Sequence, residues 1–417
     1  MTTLTQGAAS VWRYGAYALP LLLALGATYL IWIGADSGWA ALLTVLIALS
    51  AAERMSSDDY ETKPFTQPRV FVWMMWAFLP VTLLAFLGFV WTLAHGHSGG
   101  DLLGLAGLLQ ATTGFDMLAA HADDGVLTYL LSAVLFSTIT GIGSVSIGHE
   151  LAHRTWEPLS IFAARTCSLF GLFTYYAIEH PHGHHLTVGT PVDSSTALRG
   201  ENIYRYSLRT TPQDYTTAWA IERDRLAKLG LPALHWRNRL LRGWAAELTL
   251  MVLITAVSGL LGLFWFLVSA LNAHFTYKLG TYGQHYGIVR VPDSEIRAHH
   301  SWDCYNRFTN WFVDGIGRHS QHHLEPLRPF WALEHVPEAP TYAHGYLKTM
   351  GFTVIPPLWH RLMNPKLIEW DEQYASPEER ALAREANLRS GQPALVAQAA
   401  RMAVAADRVS PTGAALA

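Results

Sequence analysis

Cysteine is almost missing from this 417-residue chain: Cys167 and Cys304 are the only two. Two thiols are too few for a four-cysteine iron–sulfur or rubredoxin-type centre, so any electrons have to arrive from another protein. They also give no sign of a disulfide framework or an oxidising compartment. Charge is scarce as well. Asp, Glu, Lys and Arg make up 15% of the residues against 51% hydrophobic, and the formal net charge is −3. That balance is foreign to a soluble domain. It also offers nothing to a phosphate backbone, so no nucleic acid partner is expected. No solenoid repeat and no Gly-rich nucleotide loop between strand and helix is evident. No cleavable leader is expected either, because the apolar run after Arg13 is too long for one. Positive charge has its own gap: no Lys or Arg lies between Arg69 and Arg154.

Long apolar runs occupy that gap and much of the remainder. The runs at 14–34, 70–94 and 126–148 can each cross a hydrocarbon core of about 30 Å at about 1.5 Å per residue. A shorter run at 38–54 crosses with its flanks. Residues 243–282 are too many for one crossing and predict a hairpin, 243–257 and 260–282, turning at Ser258–Gly259. The fold class expected is therefore all-α, an integral membrane protein of about six transmembrane helices. Residues 102–120 are apolar but broken by Gln110, Thr112, Thr113, Gly114 and Asp116, and are expected to re-enter or lie at the interface.

Basic residues set the direction. Arg54, Lys63 and Arg69 lie between the second and third runs. Arg199, Arg205, Arg209, Arg223, Arg225, Arg237 and Arg239 follow the fourth. Both places, and both termini, then fall on the cytoplasmic side of the cell inner (cytoplasmic) membrane. The stretch 199–242 reads as a polar cytoplasmic excursion, and 356–370 as another interfacial piece. Residues 1–371 are expected to form the membrane domain. From 372 the chain turns Ala-rich and polar, which predicts a helix and then a disordered tail.

Histidine is what the chain has in plenty, 20 in all. Nine fall in four tight motifs: His149 and His153 in GHELAHR, His180, His184 and His185 in EHPHGHH, His285 in GQHYG, and His319, His322 and His323 in RHSQHH. A lone buried histidine is ordinarily structural. Repeated imidazoles three and four residues apart share one helix face, and simple folding has no use for them. Imidazole ligates iron, zinc, copper and nickel. The set exceeds the three or four protein ligands of a single zinc site, so two metal ions are expected.

All four motifs must then lie on one side of the membrane. That requirement decides the apolar stretch 159–178, which hydropathy alone would send across. If it crossed, His180, His184 and His185 would lie opposite His149 and His153. It is therefore expected to dip into the membrane or lie along it, leaving a cytoplasmic histidine-rich metal-binding cap. Glu150, Glu179, Asp193 and Glu325 beside the motifs are candidates to accept the outer N–H of ligand rings. Surface charge or helix capping is their plainer use. Gln284 is a candidate to orient His285 through its amide oxygen. His182, His299 and His300 are weaker candidates, and His95, His97 and His121 fall on the outer side. HELAH also fits the His-Glu-x-x-His pattern of zinc proteases, with Glu150 activating water, but an intramembrane zinc protease leaves most of the other histidines unused.

The motifs GHELAHR, EHPHGHHLTVGTPVDSS, GENIYRYSLR, GQHYG, HHSW and RHSQHH, in that order, resemble the membrane-bound alkane monooxygenases, within the wider superfamily of membrane fatty acid desaturases and hydroxylases. The resemblance runs over roughly residues 141–365, with compatible spans before it. It implies a non-haem di-iron centre, two Fe held by His149, His153, His180, His184, His185, His285, His319, His322 and His323. It implies O2 as oxidant and a hydrophobic substrate drawn from the lipid bilayer and hydroxylated at a terminal methyl. It implies electrons from rubredoxin or ferredoxin and its NAD(P)H-dependent reductase. The chain departs from the alkane pattern in two places. Asn-Tyr-x-Glu-His-Tyr-Gly is replaced by Thr281-Tyr282-Gly283-Gln284-His285-Tyr286-Gly287, and Leu-Gln before Arg-His-Ser by Ile316-Gly317. The ligand set is intact. The substrate stays open between linear alkanes, the aromatic methyl groups oxidised by the related xylene and cymene monooxygenases, and the acyl chains of desaturases and hydroxylases.

Overall fold

The computed structural model describes residues 12–409 apart from 35–37 and 62–63. Lys63, the N-terminal residues 1–11 and the expected tail beyond 409 lie outside them. Every regular element among the described residues is helical. Five helical stretches are long and apolar enough to cross a membrane, which makes this a multi-pass membrane protein.

The first four of them carry α1 (Leu19–Ile33), α2 (Gly38–Met55), α3 (Arg69–Ser98) and α4 (Val126–Val145). α1, α3 and α4 pack on one another, burying Phe78, Phe89, Phe136 and Ile139. α2 stands apart, and its Leu43, Leu46 and Ile47 are exposed, as a lipid-facing helix requires. Its far end is anchored all the same. The Glu53 carboxylate accepts from Thr309 Oγ1 at 2.6 Å and from the Leu347 and Lys348 amides at 2.7 and 3.0 Å. Those amides open a later helix, whose N-terminus favours an anion.

After α4 the chain makes three short helices: α5 (Ile147–His153), α6 (Pro158–Phe170) and α7 (Tyr176–Glu179). α6 starts at a proline and is 13 residues long. That is about 20 Å, against about 30 Å for a hydrocarbon core. Leu172, at φ 58°, turns the chain, and α7 carries it to His180. Residues 102–120 likewise form only short helices, the longer being Leu105–Thr113.

α8 (Ile203–Lys228) is the polar excursion, opened by Asn202, whose side chain accepts from the Arg205 amide. α9 (Arg239–Gln284) has 46 residues and is not straight. Gly259 has φ 66° and ψ −175°, a conformation only glycine takes readily. A Cβ there would stand 2.7 Å from His97. The chain reverses at this point. Before the turn, Glu247 accepts from the Thr174 amide at 2.9 Å, and after it His274 meets the Leu172 carbonyl at 3.1 Å. In a straight helix those two residues would be about 40 Å apart, yet both reach the same loop.

The rest is a polar cap over one end of the helices. α10 (His319–Leu324) is followed by α11 (Tyr346–Thr353), α12 (Pro356–Gln373), α13 (Pro377–Arg389) and α14 (Pro393–Val409). Residues 356–370 belong to α12, and its Trp359 is buried against Tyr282, ring centroids 5.2 Å apart. One face of the helix, with Trp359, Met363, Leu367 and Trp370, is packed into the cap. α12 runs through residue 371 without a break. α13 and α14 pack on one another with Ala383, Leu395 and Ala399 buried. The alanines that suggested a loose tail are the small contacts that let the two helices approach. Arg199 locks this region to the cap. Fully buried, it pairs with Asp371 at 2.8 Å and donates to Asn387 at 2.8 Å and to the Gly287 carbonyl at 2.7 Å. Removing one partner of such a pair costs about 3–5 kcal/mol.

A consequence of the short α6 is testable. Reporter fusions after Arg154 and after Thr190 should read the same side of the membrane. Opposite readings would mean that 159–178 crosses and would contradict this path of the chain.

Candidate metal centre

Four segments supply the site. α5 carries His149 and His153 one turn apart. The next motif is not an α-helix. Residues His180–His184 form a π-turn, with Pro181 in its first turn. The wider turn changes which rings share a face. His180 and His185 now point together, their Nε2 atoms 3.1 Å apart. The α-helical pairing of His180 with His184 does not occur, and His184 turns the other way. His285 caps the end of α9. α10 presents His319 and His323 on one face and His322 on another.

The nine rings fall into two groups. One holds His149, His153, His180, His185 and His322; the other holds His184, His285, His319 and His323. Within each group one nitrogen per ring lies within 4.8 Å of all the others. The consecutive pairs His184-His185 and His322-His323 are each divided between the groups. Adjacent residues on a helical turn point in different directions, so a histidine doublet can serve two neighbouring centres at once. His185 and His323, one from each group, have ring centroids 4.6 Å apart.

Every one of the nine is buried, none more than 5% exposed. Burial first, and neighbouring rings second, hold His180, His185, His319, His322 and His323 well below the ordinary imidazole range. His285 is brought to about 3, mainly by burial. These six are therefore neutral at neutral pH, the form that ligates. Two of them have a fixed tautomer. The Asp193 carboxylate accepts from His184 Nδ1 at 3.0 Å, and the His300 carbonyl accepts from His285 Nδ1 at 3.0 Å. Each ring then presents a lone pair at Nε2.

Those lone pairs converge. Nε2 of His285 lies 3.0 Å from Nε2 of His319, and His319 and His185 each have a second Nε2 neighbour, in His323 and His322, at 3.1 Å. The Nε2 atoms of His149 and His153 are buried with no hydrogen-bond partner among the described residues. Converging nitrogen lone pairs repel unless a cation lies among them, so this donor set fits a pair of metal ions.

The carboxylates divide sharply. Asp193 alone of the four neighbouring carboxylates accepts from a ligand ring. Burial disfavours its charge, but His184 and hydrogen bonds hold it below the usual carboxylate range. Thr196 Oγ1 donates to it at 2.6 Å. Glu179 accepts from Ser194 at 3.1 Å and is pushed up by burial and by the Asp214 and Asp193 charges. Glu150 faces Arg154, Asp314 and the Phe330 amide. Glu325 pairs with Arg328 and accepts from Gln321. Gln284 does not orient His285; the His300 carbonyl occupies that position. His182 is exposed. His121 is held elsewhere, by Asp124 and the Trp32 carbonyl. A cavity of about 610 Å³ touches none of the nine rings; its wall mixes charged residues such as Asp58 and Arg307 with aromatic ones such as Phe65 and Trp311.

Helices of membrane length over a buried, all-imidazole double cluster define a membrane metalloenzyme of the histidine-motif type. The chain matches the fatty acid desaturase family over residues 124–350. It is 29% identical over 370 residues to alkane 1-monooxygenase 1 of Pseudomonas aeruginosa, covering 84% of this chain and 90% of that one. It is 24% identical over 356 residues to alkane 1-monooxygenase of Pseudomonas putida, 82% of each. It is 33% identical over 258 residues to the hydroxylase component of the Pseudomonas putida xylene/toluene monooxygenase, 61% of this chain and 69% of that one. The chain belongs to the fatty acid desaturase family and, within it, to the membrane-bound alkane monooxygenases. It is an oxidoreductase of that type, and family and donor set together point to an iron-dependent site.

Asp193→Ala removes the carboxylate behind His184 and should weaken metal binding roughly 10–100-fold. Glu325→Ala should leave it near wild type. Chelator competition on the two variants decides it, and equal losses would contradict this assignment.

Proposed function

We propose that the protein is a non-haem di-iron monooxygenase that hydroxylates an unactivated, terminal methyl C–H of a hydrophobic hydrocarbon. The conversion takes RH, O2, two electrons and two protons to ROH and water. The division of nine buried imidazoles into adjacent groups of five and four carries this reading. His149, His153, His180, His185 and His322 would hold one iron, and His184, His285, His319 and His323 the other. What the iron pair supplies when bound is reductive activation of O2 for attack on a strong C–H bond.

The chain's own residues do the rest. Burial of the rings keeps bulk water from the site. Asp193 and the His300 carbonyl hold two protons on Nδ1 and so free Nε2 of His184 and His285. α4 and the second leg of α9 run from the apolar core to His149 and His285, which places the site at the end of membrane-length helices, where a substrate dissolved in the bilayer would arrive. No side chain is required as a general base.

The positions of the arginines support a topology. Arg54, Arg69 and Arg154 lie at the histidine end of the spans, and no Lys or Arg interrupts 70–153. Six crossings in the inner membrane, with the site and both termini cytoplasmic, satisfy this. Cys167 and Cys304 are both buried free thiols, which supports an external donor: rubredoxin or ferredoxin with its NAD(P)H-dependent reductase.

A second reading, oxidation of an aromatic methyl group, is favoured by the 33% identity to the xylene/toluene enzyme component and by Gln284 in place of Glu. Acyl desaturation or hydroxylation is supported by the family match alone. The zinc protease reading has less support, because Glu150 faces Arg154 and the Phe330 amide.

Reconstituted protein offered octane, xylene and a fatty acyl substrate side by side should yield an alcohol from the hydrocarbons. With NADH alone it should be inactive, and rubredoxin or ferredoxin plus reductase should restore turnover. Product formed from NADH without either carrier would contradict the proposal. If Gln284 bears on substrate choice, Gln284→Glu shifts the octane-to-xylene product ratio at equal iron content; an unchanged ratio removes it from that role.

A further inference from the structure

A third histidine group lies outside the nine rings: His299, His300 and Glu379. It has the composition of a metal site but not the protonation of one. The Arg297 amide donates to His300 Nδ1 at 2.9 Å. That nitrogen is therefore an acceptor, and the ring proton sits on Nε2. His300 Nε2 donates it to Glu379 Oε1 at 2.6 Å. His299 Nε2 meets Glu379 Oε2 at 3.1 Å, and the Ser376 amide donates to the same oxygen at 2.9 Å. A cation would need the lone pair that the Nε2 proton of His300 occupies. The group is a hydrogen-bonded clamp, closed by a carboxylate that is 4% exposed.

What the clamp holds is a carbonyl. His300 O is the acceptor on Nδ1 of His285, at 3.0 Å. The preceding carbonyl, of His299, is held by Trp370 Nε1 at 2.7 Å. The dipeptide is thus gripped from one segment by Trp370 and Glu379. Such support is scarce in the four-ring group. Of its members, His319 and His323 have buried Nδ1 atoms with no partner among the described residues. Only His184 and His285 are shown with an acceptor behind the ring, from Asp193 and from His300. Glu379 is also the third helical residue of α13 and forms a reciprocal capping box with Ser376, so the start of that helix fixes where the carboxylate stands.

We propose that Glu379, supplied by the C-terminal helices, is a positioning residue for the metal centre: through His300 it fixes the orientation and tautomer of His285, and so the affinity of the four-histidine site. The proposal rests on the dinuclear reading. It makes the C-terminal segment part of the site's support, not an appendage.

The test uses the full-length chain in detergent, loaded with Fe(II), with iron per chain measured against graded chelator and melting temperature recorded in parallel. Glu379→Ala should bind the iron of the four-histidine site about 10–100-fold less tightly than wild type while retaining the other. Its Mössbauer spectrum should lose one ferrous component before the other. Glu379→Gln keeps an oxygen acceptor for His300 and should recover part of the loss. His121→Ala breaks a buried lock at the far end of the spans and serves as the stability control; it should lower the melting temperature without changing iron affinity. Glu379→Ala with both irons held as in wild type would overturn the proposal. So would a His121→Ala loss of iron equal to that of Glu379→Ala at the same melting temperature. A wild-type iron count other than about two would sink the dinuclear reading, and the ratio of variant to wild-type affinity would still decide the clamp.

Discussion

Nine imidazole nitrogens reach ligand distance of one another only if every segment carrying them returns to the same side of the bilayer. This geometric demand organises the chain. α4 runs into α5 without a loop, so the first two rings sit at the end of a span. α6 is too short to cross, so the next three come back to the same end. α9 must reverse at Gly259, because without a turn there His274 would lie some 40 Å from the loop that Glu247 meets. A backbone conformation open to glycine, placed at the outer end of a hairpin, therefore helps decide whether His285 can join the site.

Burying neutral rings together carries its own cost, since each is stripped of water and aims a lone pair at its neighbours. Dividing the doublets His184-His185 and His322-His323 between two groups spreads the donors over two adjacent points. It also locks those points together, because a shift of either doublet would disturb both. Support comes from outside the motifs. Asp193 and the His300 carbonyl set ring protons, Arg199 ties α12 and α13 to the loop after His285, and Glu53 ties the lipid-facing α2 to α11. The cap is thus braced from three distant parts of the chain.

Much of this was legible in the sequence. Apolar runs of membrane length, the glycine at 259 and four histidine motifs are local signals with a direct physical meaning. The convergence argument needed only their order. The details that escaped depend on tertiary context. The π-turn at His180–His184 cannot be told from an α-helix by spacing, so the ring pairing within that motif is not legible in the sequence. Charge beside a motif did not reveal which carboxylate touches a ring: Asp193 does, while Glu150, Glu179 and Glu325 have other partners. The orienting group for His285 is a backbone carbonyl fifteen residues on, which no side-chain pattern announces. The Ala-rich, polar composition from 372 suggested a helix and then a disordered tail, and it hid the link from Glu379 to His300.

The central claim is that two metal ions lie side by side, one in each histidine group. Locating iron in the loaded protein by anomalous scattering at the iron edge tests it most directly. The account predicts two peaks, one among His149, His153, His180, His185 and His322, the other among His184, His285, His319 and His323. A single peak, or iron lying outside both groups, would contradict it.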